Sequence, residues 1–260
     1  MDNINLSCPR SWAELSQEQL RYVFFLLATF ADATVVKTYM LVRFTGIDVL
    51  ARNRFGWKCA YRPNGKLRRR AFYLQPWQIH SFLSQLSWVD STETMDNRLD
   101  VVCGLKAVHP LLQEDADTKR IISFGEYLCM ERHYQHFIAT RREESIDMLA
   151  SFLYRRPDFS RPDEITLTPA ERLATISWYT HIKYVMSHAF RHLFRRADCD
   201  ADTSDVIVLD SINIQIRALT DGDVTKEKEV KSVDCWRALT ELNAKAREAE
   251  ELKNMMKRKQ

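Results

Sequence analysis

The sequence predicts a mainly α-helical protein, a helical bundle with one β-hairpin at about residues 57–74 and an extended C-terminal helix. Three observations support this fold class. The chain of 260 residues is 45% hydrophobic and 28% charged, so it can bury a core. It contains only six glycines and seven prolines, fewer than sandwiches, barrels and dinucleotide-binding folds use in their turns. Several segments place apolar residues at three- and four-residue spacing.

The first two predicted elements are helices that form a hairpin. Ser11 and Ser16 begin patterns that start helices, and the first helix runs to about Phe30. The second helix is predicted at about residues 34–50 from apolar residues at helical spacing. These residues are Val35, Val36, Met40, Leu41, Phe44, Ile47 and Leu50.

The hairpin carries the clearest strand signal in the chain. Trp57, Cys59 and Tyr61 alternate with polar residues, a Pro-Asn-Gly turn follows at residues 63–65, and the chain returns as far as Leu74.

The middle of the chain is predicted to be helical. Pro76 starts a helix that extends to about Trp88, and a polar loop follows at residues 91–100. Further helices are predicted at 101–112, where Gly104 and Pro110 interrupt a short apolar segment, and at 121–140 and 143–154.

Residues 157–162 begin and end with proline and are the strongest linker candidate. They separate a predicted N-terminal helical domain with the hairpin, residues 1–156, from a C-terminal helical region, residues 163–260. A single large domain is the alternative at this chain length.

Three helices are predicted in the C-terminal region. Thr168 as N-cap and Pro169 at the first helical position start a helix that runs to about Arg196. Residues 206–219 fit both a strand and one face of a helix, and the helix is preferred because no neighbouring strand is evident. The last helix, at about residues 233–257, carries a thin apolar stripe.

Composition narrows the classes of function. The net charge of +3 is too small for the whole molecule to be a nucleic-acid binder, so a basic surface must be local. Six cysteines without a C-x-x-C pair predict free thiols in a reducing compartment. The start has no basic leader, and the longest uncharged apolar run, residues 22–31, is too short for a bilayer, so no membrane partner is expected.

Two sets of side chains have the spacing of metal ligands. Cys129, His133 and His136 lie at i, i+4 and i+7 of one predicted helix, as zinc or iron ligands would. Three further histidines share the long helix after Pro169: His181, His188 and His192. Neither set matches a known metal signature, and the second lies on the margin of an apolar arc. Structural histidines are therefore favoured, and no cofactor is predicted.

Basic residues cluster around the predicted hairpin turn: Arg62, Lys66, Arg68, Arg69 and Arg70. Aromatic residues lie close by in the sequence. The basic residues could therefore bind phosphates while the aromatic rings stack on bases. Strand alternation sends Arg69 to the opposite face from Arg68 and Arg70, which favours a solvated hairpin or one that docks on an acidic partner.

Catalysis finds no support in the sequence. The chain lacks a G-x-S-x-G elbow, a P-loop and a G-x-G-x-x-G turn. Cys129 and His133 are neighbours on one helix and make a poor reacting pair without a third, orienting group. A non-enzymatic protein is favoured.

The last predicted helix has too little apolar area to hold about 20 residues on a core by itself. Five residues of this helix are predicted to bind a partner: Trp236, Leu239, Leu252, Met255 and Met256. Of these, Trp236 and Leu239 are expected to seat the base of the helix, and Leu252, Met255 and Met256 are expected to be the anchors. An exposed, frayed last helix is the alternative.

Part of the sequence resembles a known group of proteins. The segments are 219–227 (LTDGDVTKE), 235–243 (CWRALTELN) and 244–251 (AKAREAEE), and the segment 9–16 (PRSWAELS) shows a similar pattern. They look like small uncharacterised proteins of phage and prophage tail-gene clusters in Bacteroidales bacteria. The likeness covers about a quarter of the chain and brings no catalytic residue with it. It implies a helical virion-assembly or tail-associated protein, located in the bacterial host cytoplasm or on the virion.

The sequence thus predicts a non-enzymatic assembly or interaction protein that acts through contacts with protein partners or with itself. One alternative is a nucleic-acid-binding module that uses the basic hairpin. Another is a helical metalloprotein that uses Cys129, His133 and His136.

Overall fold

The computed structural model describes residues 6–61, 70–92, 95–110, 122–194 and 205–258, and for residues 205–210 and 258 it describes the backbone alone. The chain is mainly α-helical, as predicted. The helices are α1 (Gln17–Thr29), α2 (Ala33–Thr45), α3 (Pro76–Gln85), α4 (Phe124–Thr140), α5 (Glu144–Leu153), α6 (Pro169–Ala189), α7 (Asp205–Thr220), α8 (Glu227–Ser232) and α9 (Cys235–Arg258). Among these described helices, none is long and apolar enough to cross a bilayer.

Strands form two small antiparallel sheets where the sequence predicts one hairpin. Sheet 1 has the order β1 (Ile47–Asn53), β2 (Gly56–Tyr61) and β3 (Arg70–Leu74). Sheet 2 has the order β4 (Val101–Val102), β5 (Leu105–Ala107) and β6 (Tyr154–Arg155).

The chain divides into two compact units. Unit 1 contains the described residues up to Leu99 together with Pro169–Trp178, and unit 2 contains Asp100–Thr168 together with the described residues from Tyr179 onward. The predicted linker at residues 157–162 falls inside unit 2.

The first two helices form the predicted hairpin in unit 1. Ser16 accepts a hydrogen bond from the backbone N–H of Gln19, whose side chain in turn accepts one from the N–H of Ser16, so α1 begins with a capping box. Tyr22 meets Phe44, and Phe30 meets Tyr39, so the start of α1 lies beside the end of α2. The two helices are therefore antiparallel.

The predicted hairpin strands pair as expected, and a third strand joins them. Trp57 lies opposite Leu74, and Tyr61 lies opposite Arg70. The inner face of sheet 1 packs against α3, with Ile47, Cys59, Leu74 and Ile79 as its buried cluster. The residues of the predicted turn lie outside the described residues.

Strand β1 corrects the prediction that the second helix continues to Leu50. The helix ends at Gly46, which takes a left-handed conformation at φ +66° and stops the helical hydrogen bonding. Ile47 and Leu50 fit both the helical and the strand period, so spacing alone could not separate the two.

Sheet 2 corrects the helix predicted at residues 101–112. Cys103 and Gly104 both have positive φ values and form the two-residue turn between β4 and β5. Ala107 then pairs with Tyr154 of β6, which lies far along the chain. These strands are too short to show an alternating pattern. The sequence around β5 also gives no sign that it pairs with β6, because β6 is distant along the chain.

The helices of unit 2 enclose a core of aromatic and aliphatic side chains. Ser123 caps α4 in a second capping box, with Glu126 as the reciprocal partner. The N–H of Phe124 donates to the Val233 carbonyl at 2.8 Å, which ties the start of α4 to the chain just before α9. The largest fully buried side chains here are Tyr127, Tyr154 and Tyr179, together with Phe124.

Helix α6 starts at Pro169 as predicted but ends at Ala189, short of Arg196. Turns follow to residue 194, and residues 195–204 lie outside the described residues. Residues 206–219 belong to helix α7, as preferred, and the final helix begins and ends within two residues of its prediction. Helix α8 was not predicted.

Candidate functional site

Helix α9 carries the predicted contact residues, and its first half is built into the core of unit 2. Cys235, Leu239 and Leu242 are buried. Trp236 is half-buried, and its ring meets that of Phe190 edge to face with 4.9 Å between centroids. Trp236 and Leu239 therefore hold the base of the helix, and the fully buried Leu239 has no surface left for a partner.

Polar contacts hold α9 as far as Glu250. The Asn243 side-chain oxygen accepts a hydrogen bond from the backbone N–H of His192 at 2.9 Å. The Lys245 ammonium group donates to the Asp221 carboxylate at 2.6 Å, and this hydrogen bond and charge hold the pKa of Asp221 below its usual value. Glu250 lies 3.3 Å from Nδ1 of His192.

The distal segment of α9, residues 251–257, is exposed along its whole length. Within the described part of the chain, no hydrogen bond or ion pair joins it to another element. Leu252, Met255 and Met256 are 51%, 54% and 59% exposed. Their i, i+3 and i+4 spacing places them on one side of the helix, so the distal segment presents an apolar stripe.

A groove lies beside the base of α9 and was not predicted. Its volume is about 560 Å³, and it is lined by apolar residues, among them Leu219, Val230 and Trp236, and by the polar residues Arg237, Thr240 and Glu241. Its walls come from the end of α7, from α8 and from the start of α9. The sequence could not predict the groove, because no local pattern indicates that these three elements meet.

The predicted metal ligands on α4 do not converge. Cys129 is exposed, and His133 lies beside Phe152 with ring centroids 6.2 Å apart. Nδ1 of His136 is 2.7 Å from the hydroxyl oxygen of Ser145, a buried side chain. Of the residues that the structure describes, no group of three or more His, Cys, Asp or Glu side chains is placed to hold a metal ion.

The histidines of α6 and the turn after it are also spread out. Nδ1 of His188 is 2.9 Å from the backbone carbonyl oxygen of Tyr184, whose ring packs 4.3 Å from the imidazole. The ring of His181 stacks on that of the same tyrosine with 6.2 Å between centroids, and His192 contacts Glu250. Each histidine thus has its own local partner.

Two ion pairs in unit 2 serve the fold. The Glu126 carboxylate accepts hydrogen bonds from Arg155 at 2.7 Å and from the backbone N–H of Ser123 at 3.0 Å. Glu131 accepts one from Lys183 at 2.5 Å. Both carboxylates face cations from neighbouring elements, so they hold those elements together.

Of the predicted basic cluster, Arg62, Lys66, Arg68 and Arg69 lie outside the described residues. Arg70 is the first residue of β3 and is exposed.

The structure adds three cations to this cluster that the sequence analysis did not single out. Arg52 and Arg54 lie in and after β1, and Lys58 lies in β2. Large aromatic side chains are exposed nearby: Phe55, Tyr73 and Trp77 are 68%, 61% and 66% exposed. The strand alternation of β2 could have placed Lys58 on the solvent side, whereas Arg52 and Arg54 follow the predicted end of the second helix at about Leu50 and belonged to no predicted element.

Comparison of the chain with protein-family models, with curated proteins and with solved structures finds no match.

Proposed function

We propose that this protein is a non-enzymatic interaction protein, and that the distal segment of α9 docks on the same segment of a second copy. The observation that carries the proposal is the exposed stripe of Leu252, Met255 and Met256 on a helix that is firmly seated at its other end. We further propose virion assembly as the setting of this activity, which is what the resemblance to phage and prophage tail-cluster proteins implies.

The apolar stripe supplies a modest driving force. Full burial of a Leu or Met side chain contributes about 1.5–3 kcal/mol, so covering these half-exposed side chains contributes about 1 kcal/mol each. Three side chains from each copy then contribute about 6 kcal/mol, which is comparable to the lower estimates of the entropy cost of association. We therefore expect a weak dimer whose population depends on protein concentration.

Charge makes a second copy a suitable partner. Two acidic residues, Glu248 and Glu251, precede Leu252 at the start of the stripe. Two basic residues, Lys253 and Lys257, follow Leu252. A second copy of this helix offers a basic group for each acidic one, so two distal segments can associate without a net like-charge repulsion.

Sedimentation velocity over a wide range of protein concentration tests the proposal. We expect the weight-average mass of the wild-type protein to rise towards that of a dimer, and the triple variant L252S/M255S/M256S to stay monomeric. The matched control is I214S/V224S, which removes large side chains that are 66% and 80% exposed elsewhere in unit 2. This control is expected to dimerise like the wild type.

Charge exchange gives a sharper test of the second copy as partner. The variants E248K/E251K and K253E/K257E are each expected to be monomeric, because each carries one sign of charge along the stripe. Their equimolar mixture is expected to associate again. A wild type that stays monomeric at every concentration, or a mixture that does not recover, would show that this helix does not pair with itself.

A further inference from the structure

Sheet 1 and α3 lie in a stretch of the chain that has no acidic residue over most of its length. Residues 49–89 contain eight Lys and Arg residues and no Asp or Glu. The rest of the chain then holds 30 Lys+Arg against 35 Asp+Glu, so it is net acidic. The small net charge of the protein therefore conceals one strongly basic region.

The cations described on sheet 1 are available for a ligand. Arg52, Arg54 and Lys58 are exposed, and within the described part of the chain none of them forms an ion pair. Two of them stack on aromatic rings: the Arg52 guanidinium lies 4.8 Å from the ring centroid of Trp57, and the Arg54 guanidinium lies 4.7 Å from that of Phe55. The rings therefore position the two guanidinium groups, while both arginine side chains remain exposed.

The outer face of sheet 1 has a cation and an aromatic ring side by side, next to a small residue. Cys59 points into the core, so Lys58 points away from it. Lys58 lies directly opposite Tyr73 on β3 and opposite Ala51 on β1, so the three share the outer face. Asp48, the acidic residue of the described strands, pairs with Ala60 and therefore shares the outer face two positions along from Lys58.

We propose that single-stranded nucleic acid binds along the outer face of sheet 1 and around the turn between β1 and β2. Arg52 lies opposite Trp57, so it reaches this turn from the other face of the sheet. In this arrangement Arg52, Arg54 and Lys58 contact backbone phosphates, and the rings of Phe55 and Tyr73 stack on bases. Single strands are favoured over a duplex because their bases are free to stack on exposed rings. An acidic protein would need the cations alone and would leave two large rings, 68% and 61% exposed, without a role.

Fluorescence anisotropy with a labelled oligothymidylate and the full-length protein tests the charge contacts. We expect binding at low salt that weakens as salt is added, and at least a tenfold loss of affinity for R52A/R54A/K58A. Because single strands release about 0.7 counterion for each phosphate contacted, the slope of log K against log salt should become shallower by about 2 in this variant.

A matched control removes the same charge from other exposed sites. R43A/K226A/R247A takes away three cations that are 62%, 59% and 57% exposed outside sheet 1. Its affinity for the oligonucleotide is expected to stay within about twofold of the wild type, because only a small long-range charge effect is lost. Circular dichroism spectra of all variants should match that of the wild type.

The aromatic contacts are tested by F55A/Y73A. Base stacking is typically lost with about a tenfold or greater fall in affinity, and here the salt slope should not change because no charge is removed. A duplex of the same length should bind less tightly than the single strand.

Three results would overturn the proposal. The first is a wild type that does not bind the oligonucleotide even at low salt. The second is R52A/R54A/K58A binding as tightly as the control variant. The third is F55A/Y73A binding like the wild type while polyglutamate competes as well as the oligonucleotide, which would identify an acidic protein as the partner instead.

Discussion

His133 on α4 is held in surroundings that favour its neutral form. Burial is the main cause that lowers the pKa of His133 below 6.5, and the positive charges of Arg132, Arg161 and His136 add to it. As the pH falls, the unfolded chain therefore takes up a proton at this residue before the folded protein does. The stability that it contributes is complete above pH 6.5 and is lost as the pH falls through the lower pKa of the folded state.

Replacing His133 with glutamine should flatten part of the acid dependence of stability. We expect the free energy of unfolding of H133Q to fall less between pH 7 and pH 5 than that of the wild type, because the variant has no proton to take up there. Urea denaturation at a series of pH values measures this. H188Q, which changes an exposed histidine, is the control, and an equal slope for H133Q and the wild type would contradict the prediction.

At the scale of single residues, helix starts are the features that the sequence predicts best. Ser16 and Pro169 mark the starts of α1 and α6 because an N-cap hydroxyl or an N1 proline acts on its own turn of helix. The left-handed turn at Cys103 and Gly104 was missed. An isolated glycine is compatible with many structures, and only the pairing of β4 with β5 selects this one.

The elements of sheet 1 meet at Gly56, which begins β2 at φ +124°. A Cβ atom at this position would lie 2.0 Å from the backbone carbonyl oxygen of Leu74 on the neighbouring strand β3. Gly46 also has a positive φ, yet a Cβ there would meet no atom within 4 Å. A side chain at Gly46 would therefore cause backbone strain alone, whereas a side chain at Gly56 would cause backbone strain and a steric clash.

Alanine substitution at the two glycines should have different costs. G46A is expected to lower the free energy of unfolding by about 1 kcal/mol, the cost of holding alanine in the left-handed region. G56A is expected to cost at least about 3 kcal/mol, because β3 must also move away. Chemical denaturation of both variants measures the difference, and equal costs would show that the Gly56 site has room for a side chain.

At the scale of elements, the sequence predicts helices well and strands poorly. The segment at residues 206–219 fits both periods, and the structure makes it helix α7 with Ile216 buried. Strands β4, β5 and β6 have two or three residues each, too few to show an alternation. Their stability comes from pairing with each other, and the pairing partner of β5 lies in a distant part of the chain.

At the scale of the whole molecule, the described cysteines differ in their exposure to solvent, so their reactivity can be used to check the fold. None of the five described cysteines forms a disulfide; Cys103 and Cys129 are exposed, and Cys59 and Cys235 are buried. Burial also raises the pKa of Cys8 to about 11, so little of it is thiolate near neutral pH. Reaction with a thiol reagent should therefore be confined to the exposed pair.

A colorimetric disulfide reagent applied to the native protein checks this pattern. In a C199S background, which removes the cysteine outside the described residues, we expect two thiols to react quickly and the other three only after unfolding in denaturant. Adding C103S and C129S should abolish the fast phase. A third fast thiol would mean that a buried site opens in solution.

Over the whole molecule, the fold also determines which part of the α9 stripe stays exposed. The sequence predicted Leu252, Met255 and Met256 as contact residues from one helix pattern, and the structure leaves all three exposed. The same pattern grouped them with Leu239, which the fold buries completely. A helical stripe shows which residues share a side, but only the packed structure shows how much of that side is covered.

The sequence by itself determined the local features: the mainly helical class, most helix starts, the pairing of β2 with β3 and the stripe on the last helix. Each of these depends on residues within a few positions of one another. The tertiary structure decided where α2 gives way to β1, that β4, β5 and β6 form a sheet, and that α6 contributes residues to both units. These outcomes depend on contacts between distant segments, whose free energy appears only when the partner is in place.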